Sequence, residues 1–503
     1  MGIKVKSGII GVLCVLYPIF LFSQHENWVY RYNGPGNGND ECLSVVYGND
    51  GNIYGGGNQW IGSYSIWNWC IISLTSSGNL RWNYNFGTPE GDFFYSMVYG
   101  SDGNIYGVGA LWDYPGFTIL SLTNSGAYRW YYEIGVGDDN MGHYIIFGRD
   151  NNIYAAGFID GNDWMPDFAV VSVNTGGNER WVYRHILSGS EHDSAVALAQ
   201  DEEYNIYAAG KIQQKLTVIS LTNTGSVRWI YQHNTSQMAY SIVYGCDGNL
   251  YVAGNNVILS LNKNTGQVIW QYLLSGNFYS IIYGSDGNLY AVSGNKIISL
   301  TNSGTYRWTY TLTGASFSKI IQAPDGHIYA CGSISNDLLV TKINSANGTL
   351  IWTYTYNGPG NGSDYATSIC SDMNGNIYVG GASTGTGNNL DFTIISVLDL
   401  YLGEYEDYPV KRNNPKEEIF ADIESNLLKD KIFLKINAFS KENLKISIYD
   451  ISGKNVFLKR LPYTSSCVIS DESISKLKEG IYFLKVDSGK KEIGRFKLFK
   501  GRN

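Results

Sequence analysis

The chain has 503 residues, among them 59 Gly, 40 Tyr and 13 Trp but only 10 Pro, and charged residues make up 16% of it. It is too aromatic for a disordered linker, lacks the Gly-X-Y triplet of collagen, and is too poor in Ala, Leu, Glu and Lys to be helical, so its tyrosines, glycines and β-branched residues predict an all-β protein with many tight turns. The net charge of −8 is uneven, with 16 Lys+Arg and 29 Asp+Glu in residues 1–400 against 20 and 15 in residues 401–503; the step marks a domain boundary, and the acidic body argues against nucleic acid as a partner.

Lys4 and Lys6 precede an apolar stretch from Ile9 to Phe22, and polar sequence begins at Ser23 and Gln24. Residues 1–23 therefore read as a secretory signal peptide, because the stretch is shorter than the roughly 20 residues a spanning helix needs. Nothing later is long or apolar enough to span, so the mature protein is expected to be exported, with no membrane span. Cys14 does not sit in a lipoprotein setting, since Leu13 precedes it. Cys42, Cys70, Cys246, Cys331, Cys370 and Cys467 remain, with no C-x-x-C among them, and most read as small buried hydrophobes.

Internal repetition governs the next 375 or so residues. A tripeptide of Asn or His, then Ile or Leu, then Tyr ends at Tyr54, Tyr106, Tyr154, Tyr207, Tyr251, Tyr290, Tyr329 and Tyr378. A second anchor places a tryptophan at Trp28, Trp82, Trp130, Trp181, Trp229, Trp270, Trp308 and Trp352. The tyrosines are 52, 48, 53, 44, 39, 39 and 49 residues apart, the period of propeller blades built from short strands. In the unit at 279–312, strand a covers 279–283. Ser285-Asp286-Gly287-Asn288 is a hairpin turn, 289–292 is strand b, 297–300 is strand c, and 306–311 is strand d. The large flat anchors are expected to fill the wedges between blades.

Trp28 precedes the first a strand, and the last unit, from Thr367 to Leu400, has no tryptophan strand of its own. Residues 28–38 also closely repeat residues 352–362. The expectation is an eight-bladed β-propeller over 25–400, closed by the N-terminal strand, which leaves no sheet edge exposed.

Two family resemblances follow. Residues 356–369, with the run from Asn374 to Gly381, resemble bacterial SBBP propeller repeats. Residues 261–270, Leu-Asn-Lys-Asn-Thr-Gly-Gln-Val-Ile-Trp, are similar to the repeat of quinoprotein-type, PQQ-like propellers. Both imply the fold over residues 27–400; repeats of this kind serve many functions.

After Tyr401 comes a polar linker, 401–417, with Pro409 and Asn414-Pro415. Alternating runs at 432–436, 444–449, 481–486 and 494–500, with a turn at 450–454, predict a small Ig-like β-sandwich over 418–503. The Ile-Tyr-Asp-Ile-Ser-Gly-Lys run at 448–454 and the Gly-Ile-Tyr-Phe-Leu-Lys-Val run at 480–486 resemble the type A C-terminal sorting domain of the type IX secretion system. The usual Tyr-Pro-Asn-Pro opening is displaced here, to Tyr408-Pro409 and Asn414-Pro415. The resemblance implies the type IX machinery as partner and a secreted, extracellular or outer-membrane-surface location.

Catalytic motifs are missing: there is no G-x-S-x-G, no His-Glu-x-x-His, no P-loop and no EF-hand loop. No catalytic residue, cofactor or metal is expected, since the six histidines never fall at ligand spacing. The turn residues Asp50, Asp102, Asp247, Asp286 and Asp325 each offer one carboxylate, too few for calcium. A sharper pattern lies fourteen residues before the anchor tyrosine, where Asp40, Asp92, Asp193 and Asp364 stand, with Asn140 in the third unit and Gln237, Gly276 and Ala315 in units five to seven. These acids read either as an arc around one mouth of the channel or as caps of their own d–a loops.

The long, variable connections are the b–c and d–a loops, gathered on one face, with Trp60 and Trp67 in the first unit, Trp112 in the second and Trp164 in the third. Aromatic platforms beside carboxylates suit sugars, and packing against neighbouring loops is the alternative. The sequence thus predicts a non-catalytic binding scaffold whose glycan or protein ligand contacts Trp60, Trp67, Trp112, Trp164, Asp40, Asp92, Asp193 and Asp364. The alternatives are a secreted polysaccharide-acting enzyme using acids of that face, and a purely structural surface component.

Overall fold

The computed structural model describes residues 25–62, 66–112, 116–135, 139–160, 165–186, 192–234 and 238–398, and in the tail 420–423, 431–437, 444–450, 454–461, 466–470, 480–488 and 491–500. The expected signal peptide (1–23) and linker (401–417) lie outside the described residues. The chain forms two compact units, 1–400 and 401–503. Among the described residues there is no helix, and so none long and apolar enough to cross a membrane.

In the first unit, strands Glu41–Tyr47, Ile53–Trp60, Trp67–Leu74 and Leu80–Phe86 pair antiparallel in that order. The two middle strands are buried almost throughout, because neighbouring sheets cover both their faces. Leu80–Phe86, outermost, alternates between exposed and half-buried positions. Gly51 and Gly78, both at φ +81°, supply the left-handed residue of the two hairpin turns.

The same order recurs in five more four-stranded sheets and in one six-stranded sheet. The six-stranded sheet holds units five and six. Its strand Asn249–Asn262 pairs first with Ala239–Tyr244 and then with the strand Val268–Tyr283. The latter leaves unit five and continues as the first strand of unit six, pairing from Phe278 onward with Asn288–Ser293. The separate a strand expected at 279–283 is therefore the end of a longer strand, since the connection between the two units is too short to break it.

The N-terminal strand His25–Tyr32 joins the last sheet, pairing with Leu390–Leu398 so that Trp28 faces Ser396 and Tyr32 faces Phe392. Arg31 and Asp391 form an ion pair of 2.6 Å across that seam. Each first strand packs on the next: Glu41–Tyr47 on Phe93–Tyr99, and onward through Asn140–Phe147, Ser194–Gln200, Ala239–Tyr244, the end of Val268–Tyr283, Ala315–Gln322 and Tyr365–Ser371. The last of these packs back on Glu41–Tyr47.

The core lies between sheets. Tyr54, Trp69 and Ile71 of the first meet Phe94, Met97 and Leu120 of the second, and Cys42, Cys70 and Ile53 of the first meet Tyr378, Phe392 and Ile394 of the last. The anchors bind the sheets as well as fill the wedges. Trp82 lies on Gly126 of the next sheet's turn, where an added Cβ would come within 2.6 Å of the ring, and its Nε1–H donates to the Asn124 carbonyl at 3.1 Å. Trp130, Trp181, Trp229, Trp270 and Trp308 repeat this on Gly177, Gly225, Gly266, Gly304 and Gly348. Trp28 does so on Gly78, donating to the Ser76 carbonyl at 3.0 Å, and so joins the last sheet to the first.

Every anchor tyrosine is fully buried except for a trace at Tyr378. Each gives its hydroxyl proton to a turn carboxylate, as Tyr54 does to Asp50 and Tyr106 to Asp102, both at 2.6 Å. Arg81 then bridges Tyr54 Oη and Ser73 Oγ. The carboxylates of Asp50, Asp102, Asp247, Asp286 and Asp325 are thus bonded within their own sheets. Among the described residues no three His, Cys, Asp or Glu side chains group to hold a metal. Cys42, Cys70 and Cys331 are free and buried, Cys370 half-buried and Cys246 exposed.

The second unit contains two sheets. One is formed by Phe420–Ile423, Lys431–Asn437 and Ser466–Ser470; the other, in spatial order, by Asn455–Leu461, Leu444–Asp450, Gly480–Ser488 and Lys491–Lys500. Ile446, Ile448, Phe457, Tyr482 and Leu484 are buried. The expected turn is closed by the Lys454 N–H donating to Asp450 Oδ1 at 3.0 Å. Strands Phe420–Ile423, Asn455–Leu461 and Ser466–Ser470 were not expected from the sequence.

Candidate ligand-binding face

Asp40, Asp92, Asp193 and Asp364, with Asn140, sit where the chain turns into its innermost strand, and all are buried. The reason is the same in each unit. One side-chain oxygen accepts the backbone N–H of the residue twenty positions on, where the second strand ends: Trp60 at 2.7 Å, Trp112 at 2.9 Å, Gln213 at 2.8 Å and Thr384 at 2.7 Å. Asn140 does the same for Asp160. The other oxygen holds the incoming loop, through the N–H of Gly34, Thr88 or Gly358. The backbone N–H of each acid meanwhile donates to a carbonyl of the preceding sheet, that of Leu390, Trp67, Pro166 or Asn336. Burial pushes the Asp40 carboxyl up to about 6 and raises Asp193 and Asp364 too, while the N–H donors pull each the other way. These side chains tie a loop, a strand end and a neighbouring sheet together beneath the surface.

Trp60 and Trp67 face each other across the b–c hairpin, edge to face, with ring centres 5.5 Å apart. Both are half-buried. The loop from Asn33 to Asp40 runs over Trp60, and a Cβ on Gly36 or Gly38 would lie within 2.3 Å of its ring. The twin loop from Asn357 to Asp364 meets Thr384 at the same place. Trp112, the counterpart of Trp60 in the second unit, is 42% exposed and stands edge-on to Phe93 at 5.9 Å.

Asp92 joins the two groups. Its N–H donates to the Trp67 carbonyl at 2.5 Å and its Oδ1 accepts the Trp112 N–H. Trp60 and Trp67 thus share a ring contact in the first sheet, and Asp92 ties the main chain of Trp67 to that of Trp112 in the second. Asp40 and Asp92 lie under these residues, and Asp193 and Asp364 occupy the matching position in other sheets. Trp164 lies outside the described residues.

A feature the sequence reading missed is a β-bulge at one fixed place in every innermost strand. It falls between Cys42 and Ser44, Phe94 and Ser96, Gly142 and Tyr144, and at the matching sites of the other five. The bulged residue reaches the next innermost strand: His143 Nδ1 contacts the Ala195 carbonyl, Ser318 Oγ donates to that of Ala366 and Thr367 Oγ1 to that of Cys42. The rings of Tyr95 and His143 lie 5.3 Å apart, and those of Tyr240 and Tyr279 5.2 Å.

Residues 214–392 match the sequence profile of a PQQ-like family described as outer membrane protein assembly factor BamB, and residues 426–498 match that of the secretion system C-terminal sorting domain. Among solved structures, Sqt1 from Chaetomium thermophilum is 11% identical with a TM-score of 0.54, over 75% of this chain and 99% of that one. The Dos1 propeller is 10% identical with a TM-score of 0.52, over 74% and 95%. BamB from Moraxella catarrhalis is 13% identical over 76% and 100%, with a TM-score of 0.48. No curated protein sequence matches the chain. The chain therefore carries a PQQ-like β-propeller segment followed by a type IX C-terminal sorting domain, which indicates a secreted or cell-surface protein.

Proposed function

We propose that the repeated units are the eight blades of a ring closed by the N-terminal strand, and that this ring binds glycans at the cell surface without transforming them. Residues 1–23 serve as the export signal, 401–417 as linker and 418–503 as an Ig-like sorting sandwich that engages the type IX machinery. The ring reading is supported by the cyclic packing of the first strands and by the Trp28 contact with Gly78.

The binding reading is carried by one observation: on the long-loop face Trp60 packs on Trp67, and Asp92 ties the main chain of Trp67 to that of Trp112, whose side chain is substantially exposed. Loops fixed on a rigid scaffold are where recognition concentrates. Indole faces offer the contact area that sugar C–H surfaces use, and the acids beneath fix their orientation. The acids of this face have their oxygens engaged by backbone N–H groups, which suits support of a binding surface better than proton transfer. A glycan array probed with the full chain tests this. Saturable binding to one structural group of glycans supports it, and a blank array across neutral and acidic polysaccharides overturns it.

A further inference from the structure

Units five to seven lack the Asp that units one, two, four and eight carry at the head of the innermost strand, having Gln237, Gly276 and Ala315 there. Between residues 238 and 343 the acids are Asp247, Asp286, Asp325 and Asp337. The first three lie in a–b turns at the other end of the strands, each bonded to its own anchor tyrosine, and Asp337 opens the third strand of its sheet at the b–c hairpin, opposite Ile334. The inner wall of these three adjacent sheets therefore presents no carboxylate near the bulges.

It presents donors instead. The bulged residues are Tyr240, Tyr279 and Ser318, and Lys319 follows directly. Asn255 and Asn277, joined at 2.5 Å, donate to the oxygens of Tyr240 and Tyr279 respectively. Each phenol thus acts as acceptor toward the protein, and its O–H remains available as a donor. The Tyr279 ring is 39% exposed. Lys319 is solvent-exposed and makes no ion pair among the described residues.

We propose that Lys319, Tyr240 and Tyr279 form a second saccharide subsite on the inner wall, selective for the carboxylate of a uronic acid residue. The ammonium pairs with the carboxylate, the phenolic O–H groups donate to it and to adjacent hydroxyls, and the exposed Tyr279 ring takes the C–H face of the sugar. The subsite rests on the ring reading above, which gives the three sheets a common inner wall, and is independent of the loop tryptophans.

The test is calorimetric titration of the full chain with digalacturonate and, separately, with the neutral digalactoside. Lys319→Met, Tyr279→Phe and Lys454→Met variants are titrated alongside, each checked for an unchanged melting curve. The expected result is binding of the acid sugar at least tenfold tighter than the neutral one. That binding should weaken at least tenfold in Lys319→Met and several-fold in Tyr279→Phe, and stay unchanged in Lys454→Met, an exposed lysine of the second unit. Equal binding of both sugars, or full retention in Lys319→Met, overturns the subsite. Loss in Lys454→Met equal to that in Lys319→Met also overturns it, because bulk charge then accounts for the binding. An array blank for neutral glycans, with intact uronate binding, removes the loop-face reading alone.

Discussion

Replacing Trp308 with alanine separates a tryptophan that holds sheets together from one that serves a surface. The Trp308 side chain is 7% exposed, lies 5.8 Å from the Tyr290 ring and covers Gly348. Its Nε1–H donates to the Ser345 carbonyl, which also accepts from Arg307 Nη2 at 3.2 Å. That carbonyl keeps the arginine after the substitution, so the loss is one of packing, and a buried Trp→Ala change costs about 3–5 kcal/mol. Gly348→Ala attacks the same contact from the other side. Its Cβ would lie 2.6 Å from the ring at a φ of +74°, so a loss of about 1–3 kcal/mol is expected. Trp112→Ala, at an exposed indole, should cost no more than about 1 kcal/mol. Urea unfolding of the full chain, followed by circular dichroism, reads all three as shifts in midpoint at constant slope. If Trp112→Ala costs as much as Trp308→Ala, Trp112 is a packing residue and the binding face has been misassigned. If Trp308→Ala costs under about 1 kcal/mol, the anchors do not hold the ring.

Three further outcomes follow from the same contacts. Deleting residues 25–33 removes the last sheet's outer strand, with its ladder to Leu390–Leu398 and the Trp28 contact on Gly78, and should lower the melting temperature; an unchanged melting temperature would contradict closure by this strand. A chain ending near Leu400 should fold and remain soluble in the periplasm but fail to reach the cell surface, and fractionation that finds it at the surface would refute the sorting role. Burial holds the His143 imidazole down to about 4, against the Ala195 carbonyl that favours its protonated form. Its unfolded value is near 6.5, so the unfolded chain takes up the proton first and His143 removes stability as pH falls from about 6.5 to 4, by up to about 3 kcal/mol. In His143→Gln, melts across that range should show the acid-side loss reduced, and an identical pH dependence would contradict the burial argument.

The turns were legible because glycine at positive φ and the Asp-Gly pair have few other uses, and the anchors because aromatic residues at a fixed period require a repeated wedge. The N-terminal strand was legible because residues 28–38 copy 352–362. The role of the acids was not, since the N–H that each accepts lies twenty residues away and a ligand-facing acid would look the same in the sequence. Whether Trp60 packs or binds likewise depends on Gly36 and Gly38, whose approach to its ring only the fold reveals. The bulges escaped because one inserted residue shifts the alternation by one, so that Tyr95, His143, Tyr240 and Tyr279 look like ordinary strand residues. Asp201 and Asp372 bond their anchor tyrosines from six positions ahead instead of four, which hid them from the turn pattern.

The most direct measurement of the central claim takes the tightest neutral ligand found by the array and titrates it into the full chain and a Trp67→Ala/Trp112→Ala double variant, then recovers the ligand by chromatography. The account predicts that the double variant melts within about 2 °C of the parent, that it loses binding at least tenfold, and that the ligand returns intact from both. Undiminished binding in the double variant, or a cleaved ligand from the parent, would contradict it.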